Sequence, residues 1–368
     1  MALYVGLMSG TSLDGIDGVL VGGDVALSVR AHVHHAFEAG LRRDLLLLNE
    51  PGSDELHRAA QAANALAQAY GVVVAELLAK ASVAADAVRA IGAHGQTVRH
   101  RPGSDPSGGY TVQLLNGALL AEVTGIDVVC DFRSRDLAAG GQGAPLVPAF
   151  HAACFGDPRR AVAVLNLGGI ANLTLLPAHG PVTGFDCGPG NLLLDHWCQR
   201  HLGQPCDLDG AWAAGGRVQQ PLLEALLADP YFDKAPPKST GRDQFHAAWL
   251  EACLASQDAT LADRDVQATL LELSARAACD ALLRHAPATT TLVVCGGGAF
   301  NGALVGRISA LLSPRAVISS QDYGLGPDQV EAAAFAWLAK ARVDRVSGNL
   351  PGVTGARGPR ILGALHPA

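Results

Sequence analysis

The chain has 368 residues, 49% of them hydrophobic, and a formal net charge of −7. That length allows two domains of ordinary size, and the acidic balance argues against a nucleic-acid partner. No apolar run reaches the length of a bilayer span, and the N-terminus lacks the basic start and small-residue cleavage site of a signal peptide, so a cytoplasmic protein without a membrane partner is expected.

The first element is a β-hairpin. Two short aliphatic runs, 3–8 and 18–21, flank a polar turn over 9–17. Gly10 and Gly15 let successive N–H groups turn inward as an anion-binding concavity, and Thr11 and Ser12 add hydroxyl donors. Asp14 and Asp17 would repel a bare phosphate, which points to a metal or a water between them and it. An ordinary polar loop is the alternative. The four lysines (80, 234, 238 and 340) form no GxxxxGK[ST] pattern, so amides, hydroxyls and a metal would have to hold any nucleotide phosphate.

A third strand is expected at 25–35, where His32, His34 and His35 read as a solvated face rather than metal ligands. Ser53 should cap a long helix over 54–80. A strand at 88–93 ends in His94-Gly95-Gln96-Thr97, and polar residues at the carboxyl end of such a strand commonly meet a ligand. Strands at 110–115 and 126–130 follow, then a glycine-rich stretch, 138–145, expected to line a cleft or form a hinge. The eight cysteines form no CxxC pair and read as buried thiols.

At 161 the opening pattern recurs, with a strand at 161–167, a glycine turn at 168–172 and a return strand at 173–176. Repetition after nearly half the chain is what a duplicated domain would produce. The expected domains are 1–155 and 156–368, with the option that the C-terminal tail packs back on the first. Asp186, between apolar neighbours and before a glycine turn, is either the cap of that turn or a proton acceptor in a partly dry cleft. Asn191 should cap a helix over 192–201, its amides directed at the same region. The stretch 206–210 resembles a calcium loop only superficially, and 236–242 reads as a surface or cleft-edge loop. Beyond a helix over 266–285 and a strand at 291–294, the glycines of 295–301 permit close contact with a ring such as adenine. Helices at 302–312 and 328–340 follow, the latter with Glu331 near its start.

Taken together these residues resemble a known family. The opening 6–17, His94-Gly95-Gln96-Thr97, Asp131-Phe132-Arg133 with 140–145, and 166–172 stand in the order of the anhydro-N-acetylmuramic acid kinases. The stretches 185–191, 237–242 and 295–301 complete that order over nearly the whole chain. Leu115-Asn116 departs from the family, which more often has glycine followed by Asp or Asn. The resemblance implies an α/β fold of two related actin-like (ribonuclease H-like) domains flanking an ATP cleft, the first with sugar-binding and the second with nucleotide-binding elements. It implies ATP and Mg2+ as cofactors, an amino-sugar substrate and a homodimer. The implied reaction hydrolyses the 1,6-anhydro bridge and phosphorylates the 6-oxygen, giving N-acetylmuramic acid 6-phosphate for cell-wall recycling.

By the same resemblance Asp186 is the general base. Gly10, Thr11, Ser12, Leu13, Asp14, Gly15, Ile16, Asp17, Asn166, Gly168, Gly169, Gly188, Gly296, Gly297, Gly298 and Asn301 contact ATP. His94, Gln96, Thr97, Arg133 and Glu331 contact the sugar, and Asp14 and Asp17 hold the metal through water. Arg133 would take the lactyl carboxylate, with a salt bridge to Asp131 or Asp136 as its alternative. Two rival readings are a hexose kinase of the same superfamily, in which Asp186 deprotonates a sugar hydroxyl, and a nucleotide-gated binding module.

Overall fold

The computed structural model describes residues 2–10, 13–23, 27–103, 109–257 and 260–368. Its strands in chain order are β1 (Leu3–Met8), β2 (Gly15–Gly22), β3 (Ser28–Ala36), β4 (Val88–Ala93), β5 (Gln96–Arg101), β6 (Tyr110–Leu114) and β7 (Val128–Cys130). They continue with β8 (Val162–Leu167), β9 (Ile170–Leu176), β10 (Thr183–Pro189), β11 (Thr291–Cys295), β12 (Ala316–Ser319) and β13 (Ala364–His366). The chain forms two compact units, 1–154 with 329–368, and 155–328.

The first unit is built on a sheet of order β13-β7-β4-β1-β2-β3, the second on β10-β9-β8-β11-β12. In each, the first strand forms an antiparallel meander with the next two and pairs in parallel with a later strand on its other side. The repeated order is the topological form of the duplication seen in sequence, and the fold is α/β with two related sheet-containing units.

In the first unit, helix Glu55–Ala81 buries Leu66, Tyr70, Val73 and Leu77 along one stripe, the spacing of an amphipathic core helix. It is long and apolar enough to cross a membrane by length and composition alone, contrary to the expectation that no segment would be. Ser53 does not cap it: the preceding residue is Asp54, in the left-handed region, without a side-chain cap. The histidines of β3 lie at a sheet edge, where His34 Nδ1 meets Asp17 Oδ1 at 2.8 Å.

Residues 329–368, assigned to the second domain with the option of packing back on the first, belong to the first unit, and the reason is packing. Helix Val330–Val343 buries Val330, Phe335, Leu338 and a run of alanines. It crosses β1 and β4 where each carries a glycine. A Cβ on Gly6 would overlap the carbonyl oxygen of Ala332, and one on Gly92 that of Phe335. The C-terminal segment is fastened through Asp136, fully buried, which accepts hydrogen bonds from Asn349 Nδ2 (2.6 Å), Thr354 Oγ1 (2.8 Å) and Gly143 N (2.8 Å). The 138–145 stretch, expected to line a cleft or form a hinge, is thereby anchored around Asp136.

The second unit centres on helix Asp263–His285, buried along most of its length. Asp207 and Asp209, of the calcium-like stretch, serve as backbone acceptors: Asp207 takes Trp212 N and Ala213 N, and Asp209 takes Gly302 N. All eight cysteines are free thiols.

Candidate active site

In the first unit, β1 and β4 run parallel, so their carboxyl ends lie side by side. That brings Ser9 and Gly10 to His94, Gly95 and Gln96. Ser9 Oγ donates to Gly95 O (3.1 Å) and lies 2.9 Å from Tyr70 OH, and Gln96 Nε2 donates to Gly10 O (3.1 Å). Gln96 is 1% exposed, and its Oε1 has no hydrogen-bond partner among the described residues.

His94 is buried against Phe335, ring centroids 4.8 Å apart. Burial, reinforced by the Arg133 guanidinium, pulls its pKa down to about 3, so it is neutral near pH 7. Arg133 can only donate, through Nη2 at 3.0 Å and Nε at 3.3 Å, so His94 Nε2 accepts. The proton therefore sits on Nδ1, which donates to Ser9 O at 3.3 Å. Arg133 Nη1 donates to Gly143 O (2.8 Å). Burial brings the Arg133 pKa down to about 10, against the raising influence of Glu331 at the start of helix Val330–Val343. Neither Asp131 nor Asp136 forms an ion pair with Arg133 among the described residues. Thr97 Oγ1 accepts from Gln113 Nε2 (3.2 Å), and His100 is close enough to Arg133 for its pKa to be lowered by it, after burial.

The opening turn is shorter than expected. Gly15, Ile16 and Asp17 already belong to β2, with Ile16 in the core. Leu13 is also buried, with φ 57, and its carbonyl accepts Arg42 Nε at 2.9 Å. Asp17 faces His34 across the strand pair, so of the two proposed metal carboxylates only Asp14 stands exposed in the turn. Thr11 and Ser12 lie outside the described residues.

In the second unit, the β8–β9 turn at Gly168 and Gly169 meets the segment after β10: Asn191 N donates to Gly168 O (2.8 Å), Gly190 N to Gly169 O (2.9 Å) and Leu192 N to Gly169 O (3.1 Å). These amides are thus used within the protein. Asn191 does not cap its helix; its Nδ2 donates to Leu167 O at 3.0 Å. The three glycines after β11 are not equivalent. Gly296 (φ +81) fits against Asn166, and Gly298 against Asn191 and Leu167, where a Cβ would collide. Gly297 alone of the three is exposed with open space at its Cβ. Asn301 is the N-cap of helix Gly302–Leu312, its Oδ1 accepting Leu304 N at 3.0 Å, and Gly188 (φ +145) is buried against Phe232.

Asp186 sits at a register shift in β10. The 236–242 loop, expected at the surface or at a cleft edge, fastens onto it: Thr240 N donates to Asp186 Oδ2 (3.0 Å), and Asp186 N donates to Lys238 O (3.2 Å). Tyr231 OH donates to Asp186 O (2.8 Å), and Lys238 Nζ donates to the carbonyls of Tyr231 and Phe232 at 3.1 and 3.2 Å. Burial raises the Asp186 pKa above an ordinary aspartate and the Thr240 N–H partly opposes it. A desolvated carboxylate held by one amide is a stronger proton acceptor than one in water. Tyr231, Lys238 and Thr240 were not legible as its supports, because loop and strand meet only in the fold.

The family model described as anhydro-N-acetylmuramic acid kinase matches residues 2–368. A protein of that name from Variovorax paradoxus (strain S110) is 58% identical over 372 residues, covering 100% of this chain and 99% of its own. A second, from Pseudomonas putida, is 53% identical with both chains covered in full. Another, from Nitrosomonas europaea, is 51% identical, with 99% of each covered. By that match over its whole length, and with the motifs seated as described, this chain belongs to the anhydro-N-acetylmuramic acid kinase family.

Proposed function

We propose that the chain is an ATP-dependent phosphotransferase that opens 1,6-anhydro-N-acetylmuramic acid with water and phosphorylates the 6-oxygen, yielding N-acetylmuramic acid 6-phosphate and ADP in peptidoglycan recycling. The observation that carries the mechanism is the desolvated Asp186 carboxylate, fixed at a strand irregularity by the Thr240 amide. Asp186 removes a proton from water as the water attacks the anomeric carbon, assistance that contributes typically ~10²–10⁴-fold. The C–O bond of the bridge breaks, and the released 6-oxygen accepts the γ-phosphoryl group, whose loose transition state needs positioning and charge neutralisation.

Arg133, backed by neutral His94, presents its guanidinium to the lactyl carboxylate. Gln96 Oε1, buried and unpaired among the described residues, offers an acceptor to a sugar donor group, and Thr97 and Glu331 contact hydroxyls. Backbone around Gly10, with Thr11 and Ser12, and the Gly168–Gly169 turn serve the phosphates, and Gly297 gives a nucleoside ring close approach. Exposed Asp14 suits Mg2+ held through water, since that ion keeps several waters and needs few protein carboxylates; when bound it neutralises phosphate charge. Asp17, engaged with His34, is the weaker candidate. The family resemblance extends the proposal to a cytoplasmic homodimer.

Turnover in ¹⁸O-water is the test. Label is expected on the anomeric oxygen of the phosphorylated product. Unlabelled product, or a clear preference for free N-acetylmuramic acid over the anhydro sugar, rejects the reading.

A further inference from the structure

We infer that a cavity of the first unit, on side chains the reaction above does not use, binds a phosphomonoester of about sugar-phosphate size. The cavity has a volume of about 560 Å3, and its lining includes Asp131, Ser134, Arg135, Arg342, Arg345 and Ile361. Three arginines from two stretches of chain line it. Arg135 belongs to helix Ser134–Ala138, Arg342 to the last turn of helix Val330–Val343, and Arg345 lies just beyond it with φ 57.

Arg342 uses Nε on Gly363 O at 3.0 Å, which steadies the guanidinium and leaves its terminal nitrogens for another acceptor. Among the described residues, the side chains of Arg135 and Arg345 have neither a hydrogen bond nor an ion pair. Among the described residues Asp131 is the single carboxylate of the lining, and its Oδ1 accepts Ser134 N at 3.4 Å. Three guanidiniums against one carboxylate make a positive cavity in a chain whose net charge is −7, so the patch does not follow from composition.

Guanidinium forks match the oxygens of a phosphate dianion, and several of them around one concavity favour it over a monoanionic carboxylate. Ile361 and neighbouring alanines give the walls an apolar part suited to a small carbon skeleton. A nucleic-acid backbone needs an extended basic surface, which the net charge of −7 argues against, so a small ligand is favoured.

The test is calorimetric titration of the full chain, with a non-hydrolysable ATP analogue in excess to fill the nucleotide site, using glucose 6-phosphate, inorganic phosphate and glucose as probes. One equivalent of glucose 6-phosphate is expected to bind, inorganic phosphate more weakly, and glucose not at all. The double variant R135A/R345A removes two exposed side chains without partners, so it should fold normally. It should weaken glucose 6-phosphate binding by about tenfold or more while leaving the KM values for ATP and anhydro sugar unchanged. R133A should leave the binding intact. Binding that survives R135A/R345A, or that disappears in R133A instead, places the ligand elsewhere and overturns the assignment, as does the lack of saturable binding up to about 10 mM. The outcomes that decide the assignment are binding measurements, so failure here is separable from failure of the proposed reaction.

Discussion

Asp186 and His94 show how burial assigns opposite duties to two titratable side chains. Burial raises the Asp186 pKa above 3.8, so its basic form is lost at a higher pH than for an exposed aspartate. The acidic limb of kcat/KM should accordingly lie above that of an exposed aspartate, and a limb below it would remove Asp186 as the base. Asp186→Asn should abolish turnover and leave ATP affinity nearly unchanged; more than a few per cent residual activity in a steady-state assay would contradict the role. For His94 and for buried His151 the folded-state pKa falls from 6.5 to about 3. Between those values the unfolded chain binds more protons, so each histidine makes stability fall as pH is lowered from 6.5 towards 3. The slope approaches about 1.4 kcal/mol per pH unit for each. Urea unfolding of His151→Leu should therefore depend less steeply on pH than wild type in that window; equal slopes would mean that His151 is protonated in the native state.

At the scale of elements, the glycines of β1 and β4 decide where the last long helix goes. A methyl group at Gly92 meets the carbonyl of Phe335, backbone that cannot rotate away. Gly92→Ala should destabilise the first unit by about 1–3 kcal/mol or more, lowering its Tm by about 2–4 °C for each kcal/mol. An unchanged melting curve would show that the helix can shift at no cost. The hairpin at the chain start, strand Val88–Ala93 and helix Gly302–Leu312 were legible because short β-branched runs and helical periodicity are local signals. Caps were less legible. Ser53 and Asn191 have the right chemistry for capping, but Asn191 is drawn to Leu167 O, a partner 24 residues away. In contrast, Asn301 does cap a helix, although its glycine-rich setting read as a nucleotide contact.

For the molecule as a whole, a chain ending at Asp328 would leave the first sheet without helix Val330–Val343 and Asp136 without Asn349 and Thr354. Such a truncation should fail to form a cooperative first unit, seen as loss of the first-unit thermal transition. A native-like circular dichroism melt would refute that dependence. The sequence by itself determined the duplicated α/β plan, the family and the identity of the polar clusters, since all of these rest on residue type and order. Only the tertiary structure decided that residues 329–368 complete the first unit, that the 236–242 loop grips Asp186, and that Arg133 leans on a neutral histidine. Each of these depends on contacts between segments far apart in the chain. Their strength comes from close backbone approach and loss of water, which no local pattern of residues records.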